Sequence, residues 1–278
     1  MSKAFQYRKP CRRREFSDWL QFCLLALGIL SCCGCADLHH AGLRPAETVM
    51  LATYPLASET AFGTGFLMGV RDRRAGGGVV PVIVTSTHFA KTANRTPIYM
   101  PLRGFDSNGK LSVALLEAVP AKKSGILYVR HPRFDVAAFK VKFPRNISAH
   151  LLVALLKEEN LEVGDEPRAG DQVNFAGFPE GQGTSLGMFP VLRSGTVASF
   201  DQSVLGLRSF LINGDVYPGD SGAPVFRTSS KGATRLVGMV IERLSFGRRT
   251  PFPLALAIDA RAIRETLHLL AQRESAVQ

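Results

Sequence analysis

At 278 residues, the chain can hold one large domain or two small ones, and its composition of 46% hydrophobic and 21% charged residues is that of a globular protein with a sizeable core. Disorder is therefore excluded for most of it. Residues 1–34 carry six basic and two acidic side chains, so the formal net charge of +11 falls to about +7 for the rest of the chain, where the basic residues are dispersed. We expect a solvated basic surface, compatible with anionic lipid or cell wall, and no nucleic-acid groove.

The N-terminus has the three parts of an export signal. Basic residues at positions 3–14 precede an apolar run from Trp19 to Leu30, and small residues follow as far as Ala36. This order predicts a signal peptide over residues 1–35 and a location in the bacterial envelope or periplasm, or secretion. The apolar run is shorter than the roughly 20 residues that a transmembrane helix needs. An uncut stretch from Trp19 to Ala36 would instead act as a signal anchor.

All five cysteines lie within the first 35 residues, so the rest of the chain has no disulfide, no thiol nucleophile and no thiolate zinc site. The segment from Leu30 to Ala36 resembles a bacterial lipobox, in which a small residue precedes the cysteine that receives the lipid. Cys35 follows a glycine, whereas Cys32 has the better aliphatic residue upstream. We predict a lipoprotein tethered to the membrane through Cys35 or Cys32; the alternative is a plain cleaved signal peptide.

Residues 36–60 are predicted to be a tether, with the folded domain beginning at residue 61. From there, short runs of β-branched and aromatic residues alternate with Gly, Pro, Asn and Asp clusters, which predicts an all-β barrel or sandwich. The predicted strands are 65–70, 79–85, 97–102, 111–119, 136–141, 172–178, 188–200, 207–213, 223–227, 235–241 and 253–258.

Two helical patterns interrupt the strands. The stretch Ile147–Glu158 has apolar residues at helical spacing and is predicted to be a connecting helix packed on one face. The stretch Asp259–Arg273 begins with a capping aspartate and has Ile263, Leu267 and Leu270 on one side. We expect this C-terminal helix to brace the fold.

Acyl transfer by a serine requires a hydroxyl, a base, an orienting acid and N–H donors for the oxyanion. Gly219 and Gly222 flank Ser221 in a Gly-Asp-Ser-Gly sequence that precedes an apolar strand. Glycine lets a substrate carbonyl approach the N–H groups of Gly219 and Ser221, which are therefore the predicted oxyanion donors. Alone, this tetrapeptide is also typical of ordinary turns.

A base and an acid precede Ser221 in the chain. His88 follows the buried-type strand that ends at Thr85, and a strand end is a rigid platform for an imidazole. Asp135 opens a strand of small and apolar residues, where burial lets a carboxylate orient His88 without taking its proton. A structural histidine and a turn or cap aspartate are the alternatives; Asp106 and Asp201 are aspartates of that second kind.

With His88, Asp135 and Ser221 in this order and separated by 47 and 86 residues, the chain resembles the trypsin/chymotrypsin family, in its bacterial trypsin-like peptidase branch. The segment Phe62–Phe66 resembles the Gly-Thr-Gly strand that opens the fold, and Asn174–Pro179 resembles the strand that begins the second barrel. The chain departs from the family in three ways: it has no Ile-Val-Gly-Gly-like activation sequence, it has none of the disulfides, and Ala223 replaces the usual second glycine after Ser221.

The resemblance implies two six-stranded antiparallel β-barrels of the chymotrypsin type over residues 61–278, with a junction at about 142–170 and a C-terminal helix. It also implies a serine endopeptidase that cleaves protein or peptide substrates through an acyl-enzyme, with His88, Asp135 and Ser221 as the catalytic triad and with no cofactor or metal. Since fold alone does not determine activity, a catalytically silent binding module and an esterase with the same triad stay open.

Two acidic residues near Ser221 bear on substrate specificity. Asp215 lies six residues before Ser221, at the place that resembles the floor of the primary specificity pocket in trypsin-like members, and this predicts Arg or Lys at P1. Alternatively, Asp215 belongs to an Asn-Gly-Asp turn and faces water. Glu242 ends the strand expected to form one wall of the pocket, where it would either attract a basic side chain or block entry.

Overall fold

The computed structural model describes residues 43–71, 78–94, 96–105, 111–119, 128–143, 152–164, 167–181, 189–201, 208–228, 232–246 and 250–276. The predicted signal peptide, with Cys32 and Cys35, lies outside the described residues. Within the described segments, no helix is both long and apolar enough to cross a membrane.

The first half of the chain forms a sheet with short helices at its margins. Its elements are α1 (Pro45–Ala52), β1 (Thr53–Ala57), β2 (Phe62–Arg71), β3 (Val79–Thr85), α2 (Thr87–Ala90), β4 (Ile98–Phe105), β5 (Leu111–Val119), β6 (Tyr128–Arg130), β7 (Ala137–Lys140) and β8 (Leu156–Lys157), with 3₁₀ turns at Lys91–Asn94 and Glu158–Asn160. The strand order is β5-β4-β1-β2-β3-β7-β6, and β8 pairs with β2.

This first sheet has eight strands and is not closed within the described residues, which corrects the prediction of a first six-stranded barrel. Its two outermost strands, β5 and β6, are not paired with each other there. The strand β6 has only three residues and β7 only four, which leaves little ladder for closure. Every pairing in the sheet is antiparallel except that of β8 with β2.

The second half of the chain forms a closed barrel of six strands, as predicted. Its elements are β9 (Gln172–Gly177), a 3₁₀ turn (Pro179–Gly181), β10 (Val191–Asp201), β11 (Ser209–Asn213), β12 (Pro224–Thr228), β13 (Thr234–Phe246) and β14 (Thr250–Asp259). The barrel closes in the order β10-β11-β14-β13-β12-β9, and every pair is antiparallel. Because alternate side chains point inward along each strand, a continuous apolar core fills the barrel.

The predicted tether over residues 36–60 is wrong for residues 45–57, which form α1 and β1 inside the fold. The strand β1 pairs with both β2 and β4, so it is an internal strand of the first sheet. The guanidinium of Arg103 is fully buried and donates to the carbonyls of Leu51 at 2.8 Å and Thr53 at 2.9 Å. A cation that binds the last carbonyls of a helix satisfies their lone pairs and stabilises the helix end.

The predicted helix Ile147–Glu158 is also wrong where the structure describes it. Residues 152–155 have no regular structure, and β8 continues from them into a 3₁₀ turn. Pairing with partners distant in the chain replaces the helical hydrogen bonds: the Leu152 N–H donates to the Arg103 carbonyl at 2.8 Å, and Leu156 pairs with Met68. Leu152 and Leu156 are buried, but in an extended segment, so their helical spacing did not indicate a helix.

The predicted C-terminal helix is confirmed as α3 (Ala260–Ala276). Asp259 caps it, because its carboxylate accepts the N–H groups of Arg261 at 2.9 Å and Ala262 at 3.3 Å. Ile263, Leu267 and Leu270 are buried, as their spacing predicted. The helix packs on β6, β7 and β13 and so joins the two halves of the molecule.

Candidate active site

Strand pairing places His88 and Asp135 at the same end of the first sheet. Thr85, the last residue of β3, pairs with Ala137, the first residue of β7. His88 lies just beyond Thr85, in the one-turn helix α2, and Asp135 lies just before β7. Since the strands are antiparallel, the residue that follows one and the residue that precedes the other are neighbours.

Two hydrogen bonds join the acid to the base. The main-chain N–H of His88 donates to Oδ1 of Asp135 at 2.8 Å, and Nδ1 of the imidazole lies 2.5 Å from Oδ2. An ionised carboxylate only accepts hydrogen bonds, so Nδ1 is the donor and a neutral imidazole keeps its lone pair on Nε2. The Asp135 carbonyl also accepts the Thr87 N–H at 3.3 Å, which fixes the loop before β7.

Asp135 is held in its charged form. Burial alone would raise its pKa, but the hydrogen bonds and the charge of His88 outweigh burial, and the pKa lies below its usual value. The carboxylate is therefore available to orient His88 and to stabilise an imidazolium across the neutral pH range.

The loop that carries Ser221 joins β11 to β12 and docks against the end of the sheet that holds His88. The Ser221 carbonyl accepts the Thr64 N–H at 2.9 Å, and the Gly222 N–H donates to the Val240 carbonyl at 2.8 Å. Gly222 has a φ of +95°, and a Cβ there would overlap the Thr64 carbonyl, so only glycine fits. Both halves of the molecule thus bind the backbone beside Ser221.

The Ser221 hydroxyl donates to the Ile241 carbonyl at 2.6 Å. Ile241 is the unpaired residue of a β-bulge in β13, because the register with β14 shifts between Val240 and Glu242. The carbonyl of this unpaired residue is the acceptor of the Ser221 hydroxyl. Among the described residues, no hydrogen bond joins Ser221 to His88.

The predicted oxyanion donors are available. Neither the Gly219 N–H nor the Ser221 N–H has an acceptor among the residues that the structure describes. Gly219 has a φ of +98°, which glycine adopts without strain. Two free N–H groups on the nucleophile loop are the donor type that stabilises an oxyanion.

Asp220, next to Ser221, forms an ion pair that the sequence did not reveal. Its carboxylate is fully buried and accepts from Nη2 of Arg193 at 2.5 Å and from Nη1 at 2.7 Å. It also accepts the Tyr217 N–H at 2.8 Å, so it closes the loop on itself. A Cβ on Gly177 would overlap the carboxylate. Because a buried carboxylate without a cation is costly, Arg193 holds the loop in this conformation.

No signal in the sequence singled out Arg193, because an arginine within a strand gives no sign of a partner that is distant in the chain. Arg193 lies within β10, where it pairs with Phe175 of β9. Its guanidinium lies 4.9 Å from the Phe175 ring, a cation–π contact that adds to its fixed position.

The two acidic residues proposed for specificity lie near the loop but do not form a buried pocket floor. Asp215 follows the turn after β11, and its side chain is exposed, while its carbonyl accepts from Arg193 at 3.1 Å. Glu242 is exposed on β13, directly after Ile241. In the described part of the chain, no group of three or more His, Cys, Asp or Glu side chains is arranged to hold a metal.

Comparison with known proteins identifies the family of this chain. Residues 63–239 match the family model of the trypsin-like peptidase domain. A mutant of Rv3671c from M. tuberculosis H37Rv in its inactive form has a TM-score of 0.50 at 14% identity, over 88% of this chain and 98% of that one. A structure of Rv3671c protease, also inactive, has a TM-score of 0.49 at 14% identity, over 86% and 98%. No curated protein matches the sequence. The family match spans more than half of the residues, and the chain belongs to the trypsin-like peptidase family.

Proposed function

We propose that this protein is a serine endopeptidase that hydrolyses peptide bonds through an acyl-enzyme on Ser221, with His88 as general base and Asp135 as the orienting acid. Membership of the trypsin-like peptidase family supports proteins or peptides as the substrates. The observation that carries the assignment of these three residues is the doubly hydrogen-bonded His88–Asp135 pair, at the end of the sheet against which the Ser221 loop docks.

The first half of the reaction forms the acyl-enzyme. Oγ of Ser221 attacks the scissile carbonyl carbon while Nε2 of His88 takes the hydroxyl proton, and the carbonyl π electrons move to oxygen. The resulting oxyanion accepts hydrogen bonds from the N–H groups of Gly219 and Ser221. When the tetrahedral intermediate collapses, the C–N bond breaks and Nε2 returns the proton to the leaving amine.

The second half releases the acid. A water molecule gives a proton to Nε2 of His88 and attacks the ester carbonyl, and the same two N–H groups bind the second oxyanion. Collapse breaks the bond to Oγ, which regains its proton from Nε2. Asp135 stays ionised throughout, which its lowered pKa favours.

The hydroxyl of Ser221 must turn before it reacts. In the free protein it donates to the Ile241 carbonyl, so attack requires that this hydrogen bond breaks and that the hydroxyl donates to Nε2 of His88 instead. Catalytic hydrogen bonds are often completed only when substrate binds.

A fluorophosphonate probe tests the assignment, followed by casein and a small ester offered separately. We expect the probe to label the wild-type protein on Ser221 and not to label Ser221→Ala, and we expect casein to be cleaved. Labelling with turnover of the ester alone would assign an esterase. A protein that is neither labelled nor active on either substrate would be a silent binding module.

We further propose that the protein acts in the bacterial envelope. The basic, apolar and small-residue order of residues 1–35 supports export, and the cysteine cluster supports a lipid on Cys35 or Cys32. Mass spectrometry of the mature N-terminus, after fractionation of expressing cells, tests this. An unmodified N-terminus at Ala36 or beyond in a soluble periplasmic fraction would contradict the lipid anchor.

A further inference from the structure

One residue of the first sheet, Thr64, makes four hydrogen bonds around the Ser221 loop. It lies on β2, is fully buried, and precedes Gly219 by 155 residues in the chain. Its N–H donates to the Ser221 carbonyl at 2.9 Å, and its hydroxyl donates to the Gly219 carbonyl at 2.7 Å. The hydroxyl also accepts the Phe178 N–H at 3.2 Å, while its carbonyl accepts the Thr85 hydroxyl at 2.7 Å.

The contact with Gly219 fixes the direction of an oxyanion donor. The Pro218 carbonyl accepts the Glu180 N–H at 2.5 Å. In a planar trans peptide, the N–H points opposite to the preceding carbonyl, so the Gly219 N–H points away from Glu180. On the other side of the same residue, the Thr64 hydroxyl holds the Gly219 carbonyl. Gly219 is thus fixed on both sides, although glycine itself has wide conformational freedom.

We propose that Thr64 is a positioning residue for the oxyanion hole, acting through its hydroxyl on Gly219. The inference rests on the proposed function, in which the N–H groups of Gly219 and Ser221 bind the oxyanion. The charge on that oxygen develops only in the transition state, so a misdirected N–H lowers kcat and leaves substrate binding almost unchanged.

The hydroxyl is needed because it donates and accepts at the same time. Valine has the same shape as threonine but does neither, so Thr64→Val would leave the Gly219 carbonyl and the Phe178 N–H without this partner. Serine keeps both hydrogen bonds and loses only a methyl group. The pair Thr64→Val and Thr64→Ser therefore separates the hydroxyl from the packing of the side chain.

Thr53→Val is the matched control. Thr53 lies on the neighbouring strand β1, is fully buried, and its hydroxyl donates to the Val49 carbonyl at 2.7 Å, away from the loop. Both valine variants lose one buried hydroxyl in the same sheet. We expect both to unfold at a lower temperature, since each leaves a carbonyl without its hydroxyl donor.

The experiment measures kcat and KM on a chromogenic peptide, with the thermal unfolding temperature of each variant. We expect Thr64→Val to lower kcat by about 10- to 100-fold with KM within about threefold, because full loss of one oxyanion donor costs about 100- to 1,000-fold. Thr64→Ser should recover kcat to within about fivefold of the wild type, because its hydrogen bonds are kept. Thr53→Val should keep the wild-type kcat.

Several results would overturn the proposal. A wild-type kcat in Thr64→Val, an equal loss in Thr64→Ser, or an equal loss in Thr53→Val would each remove the hydroxyl from catalysis. Thr64→Ala is the second variant if Thr64→Val does not fold, and failure of both to fold would make the hydroxyl purely structural. Ser221→Ala separates the two proposals. If Ser221→Ala is active, the proposed function is refuted. If Ser221→Ala is inactive but Thr64→Val has the wild-type kcat, only the inference about Thr64 is refuted.

Discussion

The His88–Asp135 pair and the Ser221 loop lie together, but they differ in how completely they are assembled. Two hydrogen bonds join the imidazole residue to the carboxylate. The Ser221 hydroxyl instead bonds to the Ile241 carbonyl, although the backbone on both sides of it is fixed. The His88–Asp135 pair is thus assembled in the free protein, whereas the Ser221 hydroxyl must exchange its acceptor before it can take part in the proposed reaction.

Replacement of any of the three residues proposed for catalysis should have the largest effect on activity. We expect Ser221→Ala, His88→Ala and Asp135→Asn each to lower kcat on a peptide substrate by about 10,000-fold or more, because the three groups act as a unit. Steady-state kinetics measures the loss, and circular dichroism checks that each variant is folded.

Three controls replace the same residue types outside the site. Ser194→Ala removes an exposed hydroxyl bonded to Asn174, and His268→Ala removes an exposed imidazole paired with Glu158. Asp171→Asn alters a carboxylate paired with Arg227. All three should retain wild-type kcat. If one of the three variants kept most of its activity, the residue replaced in it would not have the proposed role.

The second prediction concerns the ion pair beneath the Ser221 loop. Arg193→Met should destabilise the protein by about 3–5 kcal/mol, because it leaves the fully buried Asp220 carboxylate without its cation. Activity should fall as well, since Asp220 closes the loop through the Tyr217 N–H. Chemical denaturation and kinetics of the same preparation measure both effects.

The double variant Arg193→Met with Asp220→Asn sharpens this prediction. It removes both charges, so we expect it to be more stable than Arg193→Met alone. Arg208→Met is the control, because its ion pair with Glu265 is 41% exposed on both sides and should contribute at most about 1 kcal/mol. Equal losses in Arg193→Met and Arg208→Met would show that the buried pair has no special role.

Residues beside clearly patterned strands could be predicted from the sequence, whereas residues that act through distant partners could not. His88, Asp135 and Ser221 each adjoin a strand with a clear pattern, so their positions followed from local signals. Arg193, Thr64 and Arg103 act through partners that are distant in the chain, and a single arginine or threonine within a strand gives no sign of its partner. The strand β1 was missed for a related reason, because five residues without turn signals on both sides do not distinguish a strand from a linker.

Two aspartates with opposite pKa shifts provide the third prediction. Burial raises the pKa of Asp259 to about 6 despite its helix-capping contacts. Between about pH 4 and 6, Asp259 is therefore protonated in the native state and ionised in the unfolded state. The contribution of Asp259 to the free energy of unfolding falls as pH rises through that range, and it is constant above about pH 6. Asp135 has a lowered pKa and acts in the opposite sense, with its stabilisation lost as pH falls.

Asp259→Asn should remove this pH dependence. The amide oxygen still accepts the cap hydrogen bonds, so the variant should gain about 1–3 kcal/mol relative to the wild type above pH 6 and little below pH 4. Urea denaturation of both proteins at pH 4 and pH 8 gives the difference directly. A constant difference between the two pH values would show that Asp259 titrates normally.

The smallest expected effect is on P1 specificity, where a positional-scanning peptide library compares the wild type with Asp215→Ser. We expect the wild type to prefer Arg or Lys. Because the Asp215 side chain is exposed, its attraction for a cation is screened, and Asp215→Ser should reduce the preference by only about three- to tenfold. Glu117→Gln, which removes an exposed carboxylate from the outer strand β5, is the charge-matched control and should leave the preference unchanged. An equal or apolar P1 preference in the wild type would refute the pocket assignment of Asp215. If the preference for Arg or Lys at P1 is kept in Asp215→Ser and lost in Glu242→Gln, Glu242 is the residue that binds the basic side chain. Glu242 directly follows Ile241, whose carbonyl accepts the Ser221 hydroxyl.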